Sequence, residues 1–415
     1  MKRRNIRYET LGIVVALGML FCGCGPSGDE WFRQAQEAAK NKDKALAVEL
    51  VLKAADKGCL DAMVAAGEIY IHGNGIEPNK ELGFSLIRKA AEAKHPDAMF
   101  VLGKCYEEGI ATAKDADKAR YWKELAFDND SPRAMFDIYH EIDSKYRMRS
   151  IDEKAISYSS NDKRTMAKVV KVFKSLVEES HGMKYNVDES RVCCALGDIY
   201  ARGIAIIQDT QTAIAYYEKA IDLGSEWAMR ELGSIYCEGE ICSKDYDKGV
   251  PLLQKSLKMR NGGSDYSILE QLGKAYVDQD WPSADLGKAR DYFERAVFEF
   301  ENQEREQEIE VKSEDDFMVA ESLYWLGRIL MFEDERYRDD AKGIKYLKRA
   351  AEAHSDEAQY FLAAAYCDGI GVEKDLEKAY DLSGSAQYAR DKTIAAEAKK
   401  LHDTLGKQLH PLLYQ

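Results

Sequence analysis

A small residue following an apolar one recurs at Gly67, Gly103, Gly197, Gly233, Gly273, Gly327 and Ala363, and fixed distances follow each of them. Sixteen residues on stand Gly83, Ala119, Ala213, Gly249, Ala289, Gly343 and Ala379; twenty-three on stand Ala90, Ala126, Ala220, Ser256, Ala296, Ala350 and Ala386. Three of the spacings between anchors are 36 residues. Two internal offsets held through seven units confine length variation to the joins, the mark of a stacked array in which each unit buries its apolar face against its neighbours.

Offsets +16, +19, +20 and +23 from the anchor follow the i, i+3, i+4, i+7 rule for one helical face. Position +19 is large in every unit (Leu86, Trp122, Tyr216, Leu252, Tyr292, Tyr346, Leu382), so it is expected to fill the gap between two small residues. An earlier helix carries Leu102, Leu196, Leu232, Leu272, Leu326 and Leu362 at −1, with Tyr70, Tyr106, Tyr200, Tyr236, Tyr276 and Tyr366 at +3. The two helices are parted by a glycine-containing turn such as Glu108-Gly109-Ile110. The turn ends at +12 on Asn79, Asp115, Asp209, Asp245, Asp285, Asp339 and Asp375, residues whose side chains cap the unpaired N–H groups of a helix start.

The run Leu362-Ala363-Ala364-Ala365-Tyr366-Cys367-Asp368-Gly369-Ile370-Gly371-Val372-Glu373-Lys374-Asp375, with Lys378-Ala379 after it, resembles the Sel-one-like repeat family, a subclass of tetratricopeptide-like proteins. The resemblance covers roughly residues 59–391. It implies an all-α fold, a right-handed α-solenoid of antiparallel helix-turn-helix repeats. It also implies a role in assembling protein complexes, commonly on bacterial envelopes or in secretory compartments, and it brings no catalytic residues.

Around the regular units, residues 31–58 read as a starting hairpin, with Trp31 to Lys40 and Asp43 to Lys57 as its helices, followed by two repeats over 59–130. Residues 131–188 form a degenerate unit with Tyr139 in the anchor place, Ala155 at +16, Asp162 at +23, and Met166 to Val177 as an extra amphipathic helix. Five repeats occupy 189–391, and 392–415 is a polar capping helix and tail. Gly273 to Gly327 is 54 residues because of an acidic insertion at 299–316, read as a solvated extension of a second helix or as an arm for a basic partner.

The N-terminus begins with Lys2, Arg3, Arg4 and Arg7, then an apolar run from Leu11 to Cys22. Twelve residues reach only about 18 Å as a helix, short of a hydrocarbon layer of about 30 Å, so the run reads as a signal-peptide core. Phe21-Cys22-Gly23-Cys24 resembles the lipobox of bacterial lipoproteins. That resemblance implies cleavage after Gly23 and acylation, including palmitate, of Cys24; Phe21 and Cys22 depart from the usual Leu and small residue. Residues 24–30 then form a flexible tether. Gly25 stands where Asp would signal inner-membrane retention in some bacteria, which favours the outer membrane, with the repeats facing periplasm or exterior.

Losing residues 1–23 takes the formal charge from −14 to −17, and an acidic surface repels nucleic-acid phosphates. The chain contains no phosphate-binding loop, no His-Glu-x-x-His and no Gly-x-Ser-x-Gly, and its seven histidines, among them His72, His95 and His354, fall at unrelated repeat positions. No catalytic residue, cofactor or metal is therefore expected. Beyond Cys22 and Cys24, the cysteines are Cys59, Cys105, Cys193, Cys194, Cys237, Cys242 and Cys367. They lack the fixed pairing of the cysteine-rich branch of the family, though Cys237 and Cys242 are spaced to bridge a helix end to its turn.

The function expected from these features is a membrane-anchored scaffold binding other proteins in the bacterial envelope. Accessory work in polysaccharide export or envelope assembly is an alternative, as is an enzyme-like member of the cysteine-rich branch. Candidate partners are proteins, peptides or polysaccharide-export components, with the membrane reached through the lipid. A binding surface is expected at −3, +1 and +4 of the first helices, which in the last units are Tyr324, Arg328 and Met331, then Tyr360, Ala364 and Cys367. Tyr324, Arg328 and Tyr360 are of the residue types enriched at interface hot spots; burial of the tyrosines between repeats is the competing expectation.

Overall fold

The computed structural model describes residues 26–147, 157–178, 188–260, 265–306 and 318–409. Cys24, Ala155 and most of the acidic insertion, 307–316, lie outside them. Nineteen α-helices and no strand occur among the described residues, the repeat arrangement of an α-solenoid. The chain divides into two compact units, 1–213 and 214–415.

The first unit runs α1 (Gly28–Lys40), α2 (Lys44–Asp56), α3 (Leu60–His72), α4 (Lys80–Glu92), α5 (Pro96–Glu108), α6 (Ala116–Asp128), α7 (Pro132–Arg147), α8 (Ser160–Glu178) and α9 (Glu189–Arg202). Helix α10 (Thr210–Asp222) carries the chain into the second unit, which continues through α11 (Glu226–Glu238), α12 (Tyr246–Met259), α13 (Tyr266–Val277), α14 (Leu286–Glu306) and α15 (Ala320–Arg328). It closes with α16 (Asp340–Glu352), α17 (Asp356–Asp368), α18 (Leu376–Ala386) and α19 (Lys392–Leu409). In each unit a helix packs on the next, and successive first helices also touch, as α3 touches α5 and α13 touches α15.

All seven +12 residues cap as their chemistry predicts. Asn79 accepts from the Leu82 N–H at 3.0 Å, Asp115 from Lys118 at 3.0 Å, Asp209 from Thr212 at 3.0 Å and Asp245 from Lys248 at 3.1 Å. Asp285, Asp339 and Asp375 do the same with Lys288, Lys342 and Lys378. Their own N–H groups reach back to the first helix: Asp115 donates to the Tyr106 carbonyl at 2.9 Å, Asp285 to Tyr276 at 2.9 Å and Asp375 to Tyr366 at 3.0 Å. One residue thus opens the second helix and ties it to the first. The turn also needs a left-handed residue after the first helix, which Gly109 and Gly369 supply with φ of 75° and 74°.

The small residues accommodate position +20, one place beyond the expected +19. Ile87, Tyr217, Leu253, Phe293 and Leu347 at +20 are at most 1% exposed, whereas Leu86, Tyr216, Leu252, Tyr292 and Tyr346 at +19 are half-buried. A Cβ on Gly67 would come within 2.5 Å of Ile87, and one on Gly327 within 2.5 Å of Leu347. Position +16 answers +4 in the same way: a Cβ on Gly83 would meet Ile71 at 2.8 Å, one on Gly249 the Cys237 sulfur at 2.6 Å, and one on Gly343 would press on Met331. The hairpins α3–α4, α11–α12 and α15–α16 therefore close through two reciprocal contacts, a large residue lodged on a small one in both directions, whereas Lys123 and Ser383 hold the +20 place of two other repeats.

The degenerate segment contributes α7 and α8. Met166 to Val177 lies inside α8, which packs against both α7 and α9 as a hairpin partner does. Asp162 stands in the first turn of α8 rather than near the C-terminal end of a second helix, where +23 falls in the regular repeats, and accepts from Lys145 Nζ at 2.7 Å and the Tyr146 hydroxyl at 2.6 Å. Those hydrogen bonds hold its carboxyl at about 2, below the usual range. Near the acidic insertion, α14 runs 21 residues where its counterparts run about 13. Its extension is anchored by buried Phe300 against Tyr266.

Candidate functional site

Position on the first helix decides what faces outward. At about 100° per residue, −1, 0 and +3 point to the hairpin partner, while −3 and +4 lie only about 50° from the anchor on its other side. Positions −6, −2, +1 and +5 gather about 100–160° from the anchor, and they form the open face.

The expected surface residues divide accordingly. Tyr324, at −3, is 4% exposed, and its ring packs between Trp325 and Phe361 with centroids at 5.1 and 5.9 Å. Met331, at +4, is buried against Gly343. Arg328, at +1, is half-buried and fully engaged: it donates to the Tyr324 hydroxyl at 2.8 Å and to Glu333 at 2.5 Å, and its guanidinium lies over Trp325 at 4.7 Å and Phe361 at 5.1 Å. Burial opposes its charge, but Tyr324 and Glu333 raise its pKa above the ordinary value. Tyr360 is half-buried and meets Tyr324 only by way of Phe361, its ring edge-on to that residue at 5.1 Å. The expected tyrosine ladder is therefore an inter-repeat packing chain in which an arginine is clamped.

The open face carries a different ladder, from +1 of one repeat to −2 of the next. In the first unit Lys104 meets Asp137 at 3.5 Å. In the second, Ser234 donates to Gln271 at 2.7 Å, Gln271 donates to Glu238 at 3.2 Å, and Arg328 stacks on Phe361. The −2 column shifts along the second unit from Glu231 and Gln271 to Trp325 and Phe361, a change of chemistry at fixed spacing that marks this face in the sequence.

On this face α11, α13 and α15 enclose a cleft of about 560 Å³. Glu238, Gln271, Lys274, Asp278, Glu321 and Trp325 line it. Asp278 accepts from the Tyr246 hydroxyl at 2.6 Å and from Lys244 at 3.3 Å; these donors overcome burial and lower its pKa. Glu238 is pushed up by burial and by neighbouring Glu240. Behind the cleft Glu270, raised by burial, accepts from Ser322 at 2.8 Å, while the Trp325 indole donates to Glu321 at 3.0 Å. Lys274 is exposed at the centre. Fixed donors, acceptors and an aromatic edge on three successive first helices can hold a polar chain.

The first unit is tied by charge across repeats. Asp61 meets His95 at 2.9 Å, buried Asp97 accepts from Ser131 at 2.5 Å, and Arg133 grips Glu68 in a bidentate pair at 2.5 and 3.0 Å. No disulfide joins the seven cysteines among the described residues, and Cys242 donates to the Ile235 carbonyl at 3.7 Å instead of bonding Cys237. Burial pushes Cys237 up to about 12 and Cys105 to about 11. Among the described residues no group of three or more His, Cys, Asp or Glu is placed to hold a metal, and no helix is long and apolar enough to cross a membrane.

Stacked helical hairpins, with a groove of polar and aromatic side chains along the first helices, define a helical repeat protein of the α-solenoid class. The Sel1 repeat model matches residues 37–59, 60–95, 96–131, 190–225, 228–261, 270–297, 320–355 and 356–386, and the chain belongs to the Sel1 repeat family. Proteins of this family generally act as protein–protein interaction scaffolds, and the fold is typically non-enzymatic. Among solved structures, the chain is similar to c5321, a protective antigen present in uropathogenic Escherichia coli strains displaying an SLR fold. Identity is 18% over 92% of this chain and 80% of that one, with a TM-score of 0.53. A Sel1 repeat protein from Oxalobacter formigenes is 16% identical over 97% of both chains, with a TM-score of 0.47. At such identity the likeness to c5321 shows the fold alone. No curated protein matched the chain.

Proposed function

We propose that this protein is a scaffold tethered to a bacterial envelope membrane through a lipid on Cys24, and that it holds partner proteins on the open face of its first helices. The observation that carries the reading is the cleft on α11, α13 and α15. Its side chains are pre-set by Ser234, Tyr246 and Lys244, so a bound segment need not order them, and ordering costs are what weaken flexible surfaces. The short apolar run before Cys24 supports the tether, and Gly25 favours the outer membrane. Photocrosslinking in intact cells tests the face: a photoreactive residue at Lys274 should give discrete protein adducts that Glu238→Lys abolishes, and one at exposed Lys255 on α12 should give none. Adducts from Lys255 with none from Lys274 would overturn the assignment. For the tether, Cys24→Ser should move the protein out of the membrane fraction and end labelling by fatty acid; an unlabelled wild-type chain would refute it.

A further inference from the structure

A second groove lies between two second helices, away from the first-helix face. Asp291, Glu294, Arg295, Phe298 and Glu301 form a stripe along α14 at helical spacing, and Lys342, Lys345, Tyr346 and Arg349 form the facing stripe on α16. Two ion pairs join them, Glu294 with Lys342 at 2.6 Å and Glu301 with Arg349 at 2.8 Å. The partners of each rung stand seven residues from those of the other, about 10 Å along each helix. Between the rungs opens a groove of about 610 Å³.

Its contents combine an exposed aromatic ring with cations unpaired among the described residues. Phe298 is 58% exposed, a large apolar ring left open on an acidic protein, and Tyr346 is half-buried beside it. The rungs pair Glu294 with Lys342 and Glu301 with Arg349. Arg295 and Lys345, both exposed, flank the ring and form no ion pair among the described residues. In a chain of formal charge −14 this is a local cationic rim around an aromatic patch. A bare polyanion is a poor match, since it would leave the exposed Phe298 ring uncovered and the Asp291 carboxylate also lines the groove.

We propose that the groove between α14 and α16 docks an acidic segment of a partner protein that presents one aromatic side chain between carboxylates. The aromatic ring packs on Phe298 and Tyr346, and the carboxylates reach Arg295 and Lys345. Apolar contact holds the segment, while the rim charges steer and select it, so binding weakens as salt rises.

The test uses the full chain and fluorescein-labelled peptides in an anisotropy titration. The peptide Glu-Glu-Phe-Asp-Glu should saturate, with affinity at least about tenfold above that of Glu-Glu-Ser-Asp-Glu or Lys-Lys-Phe-Lys-Lys. Arg295→Glu combined with Lys345→Glu should lower affinity by about tenfold or more, and so should Phe298→Ser. All three side chains are exposed, so circular dichroism melting should stay at the wild-type value in both variants, which separates loss of the site from loss of the fold. Equal binding of the three peptides, or binding unchanged in both variants, would overturn the proposal. Dimerisation in sedimentation that the double charge reversal abolishes would assign the groove to a second copy instead. Peptide binding that appears only after Glu308, Glu310, Glu314, Asp315 and Asp316 are neutralised would assign it to the chain's own segment. The crosslinking at Lys274 reads a different face, so either result can fail alone.

Discussion

The ring of Phe293 occupies the space into which a side chain on Gly273 would grow: a Cβ there would stand 2.5 Å from Cε1 and 2.7 Å from Cδ1. Gly273→Ala gains about 1 kcal/mol of helix propensity but forces a fully buried ring out of place, a clash that costs about 1–3 kcal/mol or more. Overpacking wins, so the variant should be less stable in urea denaturation. Phe293→Leu in the same chain should recover part of the loss. Independent, additive effects in that double-mutant cycle would show that the two sites do not touch.

Neighbouring aliphatic residues on α4 separate +20 from +19. Ile87 is fully buried on Gly67 and Leu86 is half-buried. Ile87→Ala should cost about 2–5 kcal/mol, the range for truncation in a packed core, and Leu86→Ala should cost less than half as much. Equal losses in denaturant melts would contradict the assignment of the core to +20.

The caps are separable from the core. Asp375→Ala removes the acceptor for the Lys378 N–H and should destabilise the last hairpin by about 1 kcal/mol. Asp375→Asn keeps the acceptor and should lose only a few tenths of that. Hydrogen exchange should show faster opening of α18 in the alanine variant, with exchange in α11 unaffected.

Acid stability has an identifiable contributor in Asp162, whose folded pKa is about 2 because Lys145 and Tyr146 donate to it. A depressed pKa contributes stability that is fully present above the unfolded value of about 4 and is lost as pH falls toward 2. Asp162→Asn should therefore lower the melting temperature at pH 7 and narrow the difference between pH 5 and pH 2. A variant with the wild-type slope over that window would rule out this ion pair as the source.

Burial raises the Cys237 thiol to about 12 and the Cys105 thiol to about 11, which leaves little thiolate at pH 8. Iodoacetamide should modify both slowly in the native protein and rapidly in urea, as read by mass spectrometry. Fast native labelling would show that these helices open.

Much of this molecule was legible in the chain because its governing contacts are local. Asp115, Asp245 and Asp375 cap residues three places on, within one helical turn, so their spacing alone reveals where each second helix begins. The anchor series is legible for a related reason: every hairpin repeats one close contact at one sequence distance. The lodging of +20 rather than +19 was not legible, since the two are a single step apart on the helix and only the tilt of the partner helix chooses between them. The same holds for Tyr324 and Trp325. Adjacent in sequence and alike in chemistry, one is buried and the other lines the cleft, because α17 brings Phe361 over one side of α15 and leaves the other side open. The groove between Phe298 and Tyr346 joins residues 48 apart across a join of variable length. Periodicity within a repeat determined which residues form each hairpin; the packing of one repeat on the next decided which of them meet solvent.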